Sequence, residues 1–151
     1  MTDSKISSLD VTIRNKVLDM IAHLEREKIK YKVLETRRSP SVQEAYYAQG
    51  RENYARVCVL RDLAGLPKIG EDEAKRIITW TKKSRHIDGM AIDIVPVKDG
   101  KIPWVVNDAE TAELWFRIGR IGEFYGLEWG GRWSPFNAFK LGADLPHFQA
   151  K

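Results

Sequence analysis

Apolar positions along the chain follow two periods, and each change of period marks an element. Between Ser8 and about Lys28, Leu9, Ile13, Val17, Ile21 and Leu24 recur at helical spacing with charged residues between them, which predicts an amphipathic helix lying on a core. Tyr31-Lys32-Val33-Leu34-Glu35-Thr36 alternates and is β-rich, so a strand is predicted there, broken by Arg37-Arg38-Ser39-Pro40. Ser41 with Glu44 three residues later has the pattern of a capping box. It predicts a second helix carrying Gln43, Tyr46 and Tyr47 and ending near Gly50. Further helices are predicted over 52–64, closed by Gly65 and Pro67, and over 71–76.

The second half reads as strands around one long helix. Ile77-Ile78-Thr79-Trp80-Thr81 is β-branched and aromatic and predicts a strand. Met90 to Val97 predicts another, apolar almost throughout and therefore central in a sheet. Asp99-Gly100 is a hairpin signal with Ile102 to Val106 as the returning strand. Asn107 with Glu110 gives a second capping box, and the helix behind it places Leu114, Ile118, Ile121 and Tyr125 on one face before stopping at Gly126. Leu127 to Trp133 then leads through a loop containing Pro135 to a last segment, Asp144 to Gln149. Helices and mostly adjacent strands in this order predict an α+β fold, a small and largely antiparallel sheet flanked by helices. No repeat or interdomain linker interrupts it, so 1–151 is expected to be a single domain.

Composition narrows the classes. With 43% hydrophobic and 30% charged residues the chain is globular, neither disordered nor membrane-like. A net charge of +4 suits anionic surfaces, but the basic residues are dispersed among 21 acidic ones, which argues against the concentrated face of a nucleic-acid binder. Lys82-Lys83-Ser84-Arg85 reads as solvated surface. Cys58 is the only cysteine, so no internal disulfide forms, and its apolar setting Val57-Cys58-Val59-Leu60 predicts burial. The N-terminus lacks the apolar core of a signal peptide and no run is long enough to span a bilayer. Synthesis in the cytoplasm without membrane insertion is expected.

Candidate chemistry gathers in two places. Asp93 follows His86 by seven residues with Gly89 between them, so a loop histidine and a strand carboxylate can converge. A catalytic zinc takes about three protein ligands and leaves a position for water, and His86, Asp93 and His147 would make that set. Bound zinc lowers the pKa of water from about 15.7 to roughly 7, and a neighbouring carboxylate must then accept a proton. Asp144, three residues before His147, is one candidate, and Glu128, before Trp129-Gly130-Gly131, competes with it as base or as a structural acceptor. The plain alternative is a polar loop histidine, a hydrogen-bonded buried aspartate and an ordinary strand histidine. His23, beside the first apolar stripe, is expected at a helix boundary rather than on a metal.

Taken together, Ser84-x-His86-x-x-Gly89-x-Ala91-x-Asp93, Glu128-Trp129-Gly130-Gly131 and Asp144-x-Pro146-His147-Phe148-Gln149 resemble the zinc peptidases that include D-alanyl-D-alanine carboxypeptidases and phage L-alanyl-D-glutamate endolysins. The segment from Arg38 to Arg51, with Gln43 and Tyr47-Ala48-Gln49-Gly50-Arg51, resembles the substrate side of that family, so the likeness spans about Thr36 to Gln149. The resemblance implies a fold of the hedgehog and DD-peptidase kind, one catalytic Zn2+ on His86, Asp93 and His147, and Asp144 as catalytic carboxylate. It further implies Arg38 as the arginine that steadies the substrate carbonyl or carboxylate, and Ser84, Gln43 and Trp129 as substrate-side residues. Ser84 has the alternative of capping its turn, and Trp80, Trp129 and Trp133 that of core packing.

Two features depart from the family pattern. Arg37 precedes Arg38 where an aromatic is usual, and the stretch from Asn53 to Thr81 is longer and more helical than in compact endolysins. The implied function is zinc-dependent hydrolysis in the peptidoglycan stem peptide, at the L-alanyl-D-glutamate bond. The alternatives are D-alanyl-D-alanine carboxypeptidase activity and a non-catalytic, metal-containing wall-binding module on the same fold. A monomer without a separate wall-binding module, made in the cytoplasm and reaching the wall after phage-driven release, completes the expectation.

Overall fold

The structure is a computed structural model that describes residues 2–134 and 139–151. The loop expected at Pro135 lies outside the described residues. In order, the elements are β1 (Thr2–Asp3), α1 (Val11–Arg26), β2 (Tyr31–Glu35), β3 (Arg37–Arg38), α2 (Pro40–Ala48), α3 (Tyr54–Leu63), α4 (Glu71–Ala74), β4 (Ala91–Pro96), α5 (Ala109–Phe124), β5 (Leu127–Trp129) and β6 (His147–Ala150). The main sheet runs β2-β4-β6-β5 with every pair antiparallel, and β1 pairs with β3 in a separate ribbon. This is the expected α+β architecture.

Two helices close one face of the sheet. In α1, the Asp10 carboxylate accepts from Thr12 N at 2.8 Å and caps the first turn, and Ile13, Val17, Met20 and Leu24 form the buried stripe. In α5, Thr111, Ala112, Trp115, Ile118, Gly119, Ile121 and Gly122 are buried. Gly119 and Gly122 leave a flat strip on which the rings of Trp129 and Phe148 lie; a Cβ at either position would overlap a ring. A smaller core, Val42, Ala45, Ala48, Val57, Leu60, Ala64 and Ala74, joins α2, α3 and α4. Cys58, expected to be buried there, is only half-buried.

Several boundaries differ from expectation for local reasons. Helix α2 is capped by Ser39, whose Oγ accepts from Val42 N at 3.4 Å, and not by Ser41. Pro40 takes the first helical position, where a missing N–H costs nothing and φ is already helical. Likewise Asp108, not Asn107, caps α5 by accepting from Thr111 N at 2.7 Å, while Glu110 reaches Lys98 Nζ at 3.0 Å. Asp99 and Gly100 adopt φ of 53° and 75°, as a type I′ turn requires, but the ladder beyond it is the single bridge Lys98 to Lys101. Pro103 cannot extend that ladder, and its carbonyl instead accepts from Trp115 Nε1 at 3.0 Å. Residues 77–81, expected as a strand, have no strand partner among the described residues. Their backbone is held by side chains: Gln43 Nε2 donates to Thr81 O at 2.6 Å and Arg51 Nη2 to Thr79 O at 2.9 Å.

The two faces of the sheet divide the chemistry. Strand residues alternate between faces, and the register sets Ile92 across from Phe148, itself across from Trp129, on the helix side. One residue on, Asp93 lies across from Glu35 on β2 and from His147 on β6. That polar row faces away from the core.

Candidate active site

Three segments deliver the polar row. The first is the turn before β4. Ser84 Oγ accepts from His86 N at 3.2 Å, Arg38 N donates to His86 O at 2.9 Å, and Met90 N donates to Arg85 O at 2.9 Å. Gly89 has a φ of +70°, and a Cβ there would sit 3.0 Å from Ser8 O and Asp10 N, so the turn packs directly on the start of α1. The second segment is β4 itself, which carries Asp93. The third is the run into β6, where Asp144 N donates to Gly130 O at 3.3 Å and His147 N to Asp144 O at 3.2 Å. Gly130 makes room for it: a Cβ there would lie 3.0 Å from Asp144 Cβ and 3.2 Å from His147 Cβ.

The result is a convergence of donors. His86 Nε2 is 3.2 Å and His147 Nδ1 3.4 Å from Asp93 Oδ1, and the ligand atoms of all three residues lie within 4.8 Å of one another. Four ligands at zinc's usual bond lengths of about 2.1 Å stand about 3.4 Å apart at the corners of a tetrahedron, so these separations fit a single ion. The tautomers fit as well. His147 Nε2 is 2.9 Å from Gln149 Oε1, an acceptor, so the neutral ring that ligates a metal keeps its proton on Nε2 and its lone pair on Nδ1, the atom facing Asp93. His86 is 2% exposed, and its Nδ1 has no hydrogen-bond partner among the described residues; the Glu35 carboxylate is 3.5 Å away.

Electrostatics agree with a cation site. Burial pushes the Asp93 carboxyl up, but hydrogen bonds from His147 and His86 and their charges hold it well below the usual carboxylate range. Burial pulls His147 down, and the bond to Asp93 with the charge of Asp144 more than restores it, so its pKa is raised. Asp144 is raised mainly by burial; Asp93 adds to the rise, and His147, His86 and Arg38 oppose it. Its Oδ2 is 3.9 Å from His147 Nδ1, too far for a hydrogen bond and near enough to share the cavity. That cavity, about 320 Å³, is lined by Asp144, the three triad residues, Arg38, Ser84 and Trp133 among others.

The other expected site residues are distributed unevenly. Arg38 stands in the cavity wall with its guanidinium committed: Nη2 donates to Glu35 Oε1, Nη1 to Gln43 Oε1 at 2.6 Å, and its plane lies 4.9 Å from the Tyr46 ring centroid. Ser84 both caps its turn and lines the cavity. Gln43 is buried behind Arg38 and does not line the cavity. Trp129, expected beside the substrate, is a core residue at 1% exposure. Its ring stacks on Phe148, and its Nε1 donates to Leu145 O at 2.8 Å, which pins the Asp144 to His147 segment from behind. Glu128 is likewise a structural acceptor: its Oε2 takes Trp133 Nε1 at 3.2 Å and Gln149 Nε2 at 2.9 Å. His23 bonds Tyr125 Oη at 2.9 Å, far from the triad in the fold.

Against known proteins, residues 78–150 match the family model described as D-alanyl-D-alanine carboxypeptidase. That span holds all three triad residues and Asp144. Its three clustered residues, His86, Asp93 and His147, are placed to hold one metal ion. Three solved structures share this peptidase fold. The L-Ala D-Glu endopeptidase ChiX of Serratia marcescens is 19% identical with a TM-score of 0.53, over 97% of this chain and 83% of that one. The vancomycin-resistance D,D-pentapeptidase VanY, solved with Zn(II), is 14% identical with a TM-score of 0.54, over 94% and 72%. The LD-carboxypeptidase LdcB is 18% identical with a TM-score of 0.57, over 94% of this chain and 58% of that one. Within the peptidase fold the triad residues are the ones that would hold zinc.

Sequence reasoning passed over Glu35 and gave no role to Gln149. Glu35 carried a signal, since strand alternation sets it on the face of Tyr31 and Val33, where an acid needs a partner.

Proposed function

We propose that this protein is a zinc-dependent endopeptidase that hydrolyses the L-alanyl-D-glutamate bond of the peptidoglycan stem peptide. The observation that carries a hydrolytic reading is Asp144: a carboxyl of raised pKa beside the triad, sharing its cavity but outside its ligand set. A group held nearer neutrality than an ordinary carboxylate suits the transfer of a proton from water to a leaving amine. When bound, zinc acts as a Lewis acid and lowers the pKa of water toward neutrality. The chain's own residues do the rest. Gln149 and Glu128 orient His147, Asp144 accepts and returns the proton, and Arg38 presents positive charge to the polarised carbonyl.

The choice of bond is supported by the likeness of the three sequence blocks to phage endolysins and by the fold shared with ChiX across most of both chains. The family model over 78–150 favours a second reading, release of terminal D-alanine. Incubating the purified protein with peptidoglycan sacculi, with and without a chelator, and identifying new termini by mass spectrometry separates the two. New amino-terminal D-glutamate supports the endopeptidase and free D-alanine the carboxypeptidase. No metal-dependent product from several wall chemotypes would overturn both and leave a non-catalytic wall-binding module.

A further inference from the structure

We propose that Glu35 is the positioning residue of this centre, a single buried carboxylate that aligns the metal ligand His86 and the cleft-wall arginine Arg38 together; the inference rests on the zinc reading above. Glu35 is 7% exposed, and its Oε1 is shared: it accepts from Arg38 Nη2 and lies 3.5 Å from His86 Nδ1. Histidine that ligates a metal through one ring nitrogen is oriented by what the other meets. In His86, Nε2 faces Asp93 and Nδ1 faces Glu35.

The backbone is bent to put Glu35 there. Along β2 and β4 the register runs Tyr31 to Pro96, Lys32 to Val95 and Val33 to Ile94, then steps to Glu35 opposite Asp93. Leu34 is the extra residue of a bulge. A regular ladder would set Leu34 across from Asp93 and Glu35 across from Ile92, on the apolar face, where an unpaired carboxylate is strongly disfavoured. The bulge turns Glu35 onto the polar row, a re-aiming that bulges beside functional sites commonly perform. Arg38 then offsets the like-charge repulsion between the Glu35 and Asp93 carboxylates, leaving Asp93 free for a cation.

The same carboxylate reaches the cleft rim. Arg38 Nη1 donates to Gln43 Oε1, and Gln43 Nε2 donates to Thr81 O at 2.6 Å and Thr79 Oγ1 at 3.3 Å. Thr79 and Thr81 line the cavity. Gln43 therefore acts from behind the wall as a strut.

The test uses zinc itself on the full chain. Competition titration against a chromophoric chelator is expected to show Glu35→Gln binding zinc about 10 to 100-fold more weakly than wild type, with an altered visible spectrum when cobalt replaces zinc. An exposed control, Glu113→Gln, is expected to bind as wild type does. Wild-type binding with Glu35→Gln within twofold of it would overturn this inference alone. Failure of the wild type to bind zinc overturns the metal reading and this inference with it. A measurement needing no variant guards against misfolding: in the zinc-loaded wild type, imidazole 15N shifts are expected to show His86 bound through Nε2 and protonated at Nδ1. Binding through Nδ1 overturns the proposal.

Discussion

Replacing Asp144 by asparagine separates proton transfer from metal binding. The shape of the side chain is kept, and the residue stands outside the three-ligand set, with its Oδ2 at 3.9 Å from His147 Nδ1. No hydrogen bond to the triad is lost. What disappears is the proton acceptor, whose contribution in general base catalysis is about 10²–10⁴-fold; at about 1.36 kcal/mol per tenfold this is about 2.7–5.5 kcal/mol of barrier. Because burial and the Asp93 charge raise the Asp144 pKa, its ionised form opposes folding at neutral pH, and the neutral amide removes that opposition. Asp144→Asn is therefore expected to be at least as stable as wild type, so lost turnover is not lost fold.

The assay pairs turnover on sacculi with zinc content by elemental analysis. Asp144→Asn is expected to retain zinc at the wild-type ratio while turnover falls by about 10²–10⁴. Glu128→Gln is expected to behave differently. Its carboxylate accepts from Trp133 and Gln149, so the variant loosens His147 through Gln149 and weakens zinc retention before it touches the proton step. Turnover of Asp144→Asn above about a tenth of wild type, at full zinc occupancy, would be incompatible with a general base that contributes about 10²-fold or more.

Three further outcomes are expected. Zinc at about a hundred times its dissociation constant adds about 2.7 kcal/mol, and at about 2–4 °C per kcal/mol for a domain of this size raises Tm by about 5–11 °C; in His147→Ala differential scanning should show no such rise. The raised His147 pKa makes the pH dependence differ with metal: its contribution to the metal-free fold is present below the ordinary histidine value of 6.5 and is lost as pH rises from there through the folded value, whereas zinc displaces that proton, so the zinc-loaded fold gains stability as pH rises toward 6.5 and is level above it. Tm measured against pH should fall above 6.5 without zinc and stay level there with zinc, while below 6.5 it should rise with pH only in the zinc-loaded protein. Gly122→Ala gains about 1 kcal/mol of helix propensity but places a methyl into the Phe148 ring and 3.4 Å from Met20 Cε; overpacking of about 1–3 kcal/mol should win, lowering the urea midpoint.

Legibility in the sequence followed the kind of physics involved. The stripes of α1 and α5 and the central strand β4 were readable because burial imposes a period on the chain. The caps at Ser39 and Asp108 were misplaced by one or two residues, since Ser41 and Asn107 satisfy the same local pattern and only the path of the preceding chain decides. Residues 77–81 have β propensity and, among the described residues, no strand to pair with, a tertiary fact. The triad was legible because its spacing matches a known pattern. Glu35 escaped because its role depends on a bulge that shifts register across strands, and Trp129 was misassigned because only its strand neighbour Glu128, opposite Gln149, faces the polar row, while its own ring lies opposite Phe148 and points into the core.

Fold and site therefore depend on one register. Ile92, Phe148 and Trp129 make a row whose position is fixed by ring packing on Gly119 and Gly122, and the next row is Glu35, Asp93 and His147. Since neighbouring strand residues face opposite sides, the apolar row decides that Asp93 and His147 point away from the core, with no help from a metal. A one-residue slip would bury both ligands and expose Ile92 and Phe148. The helix face of α5, remote from any chemistry, thus sets the geometry in which a histidine, an aspartate and a second histidine from distant parts of the chain meet at one point.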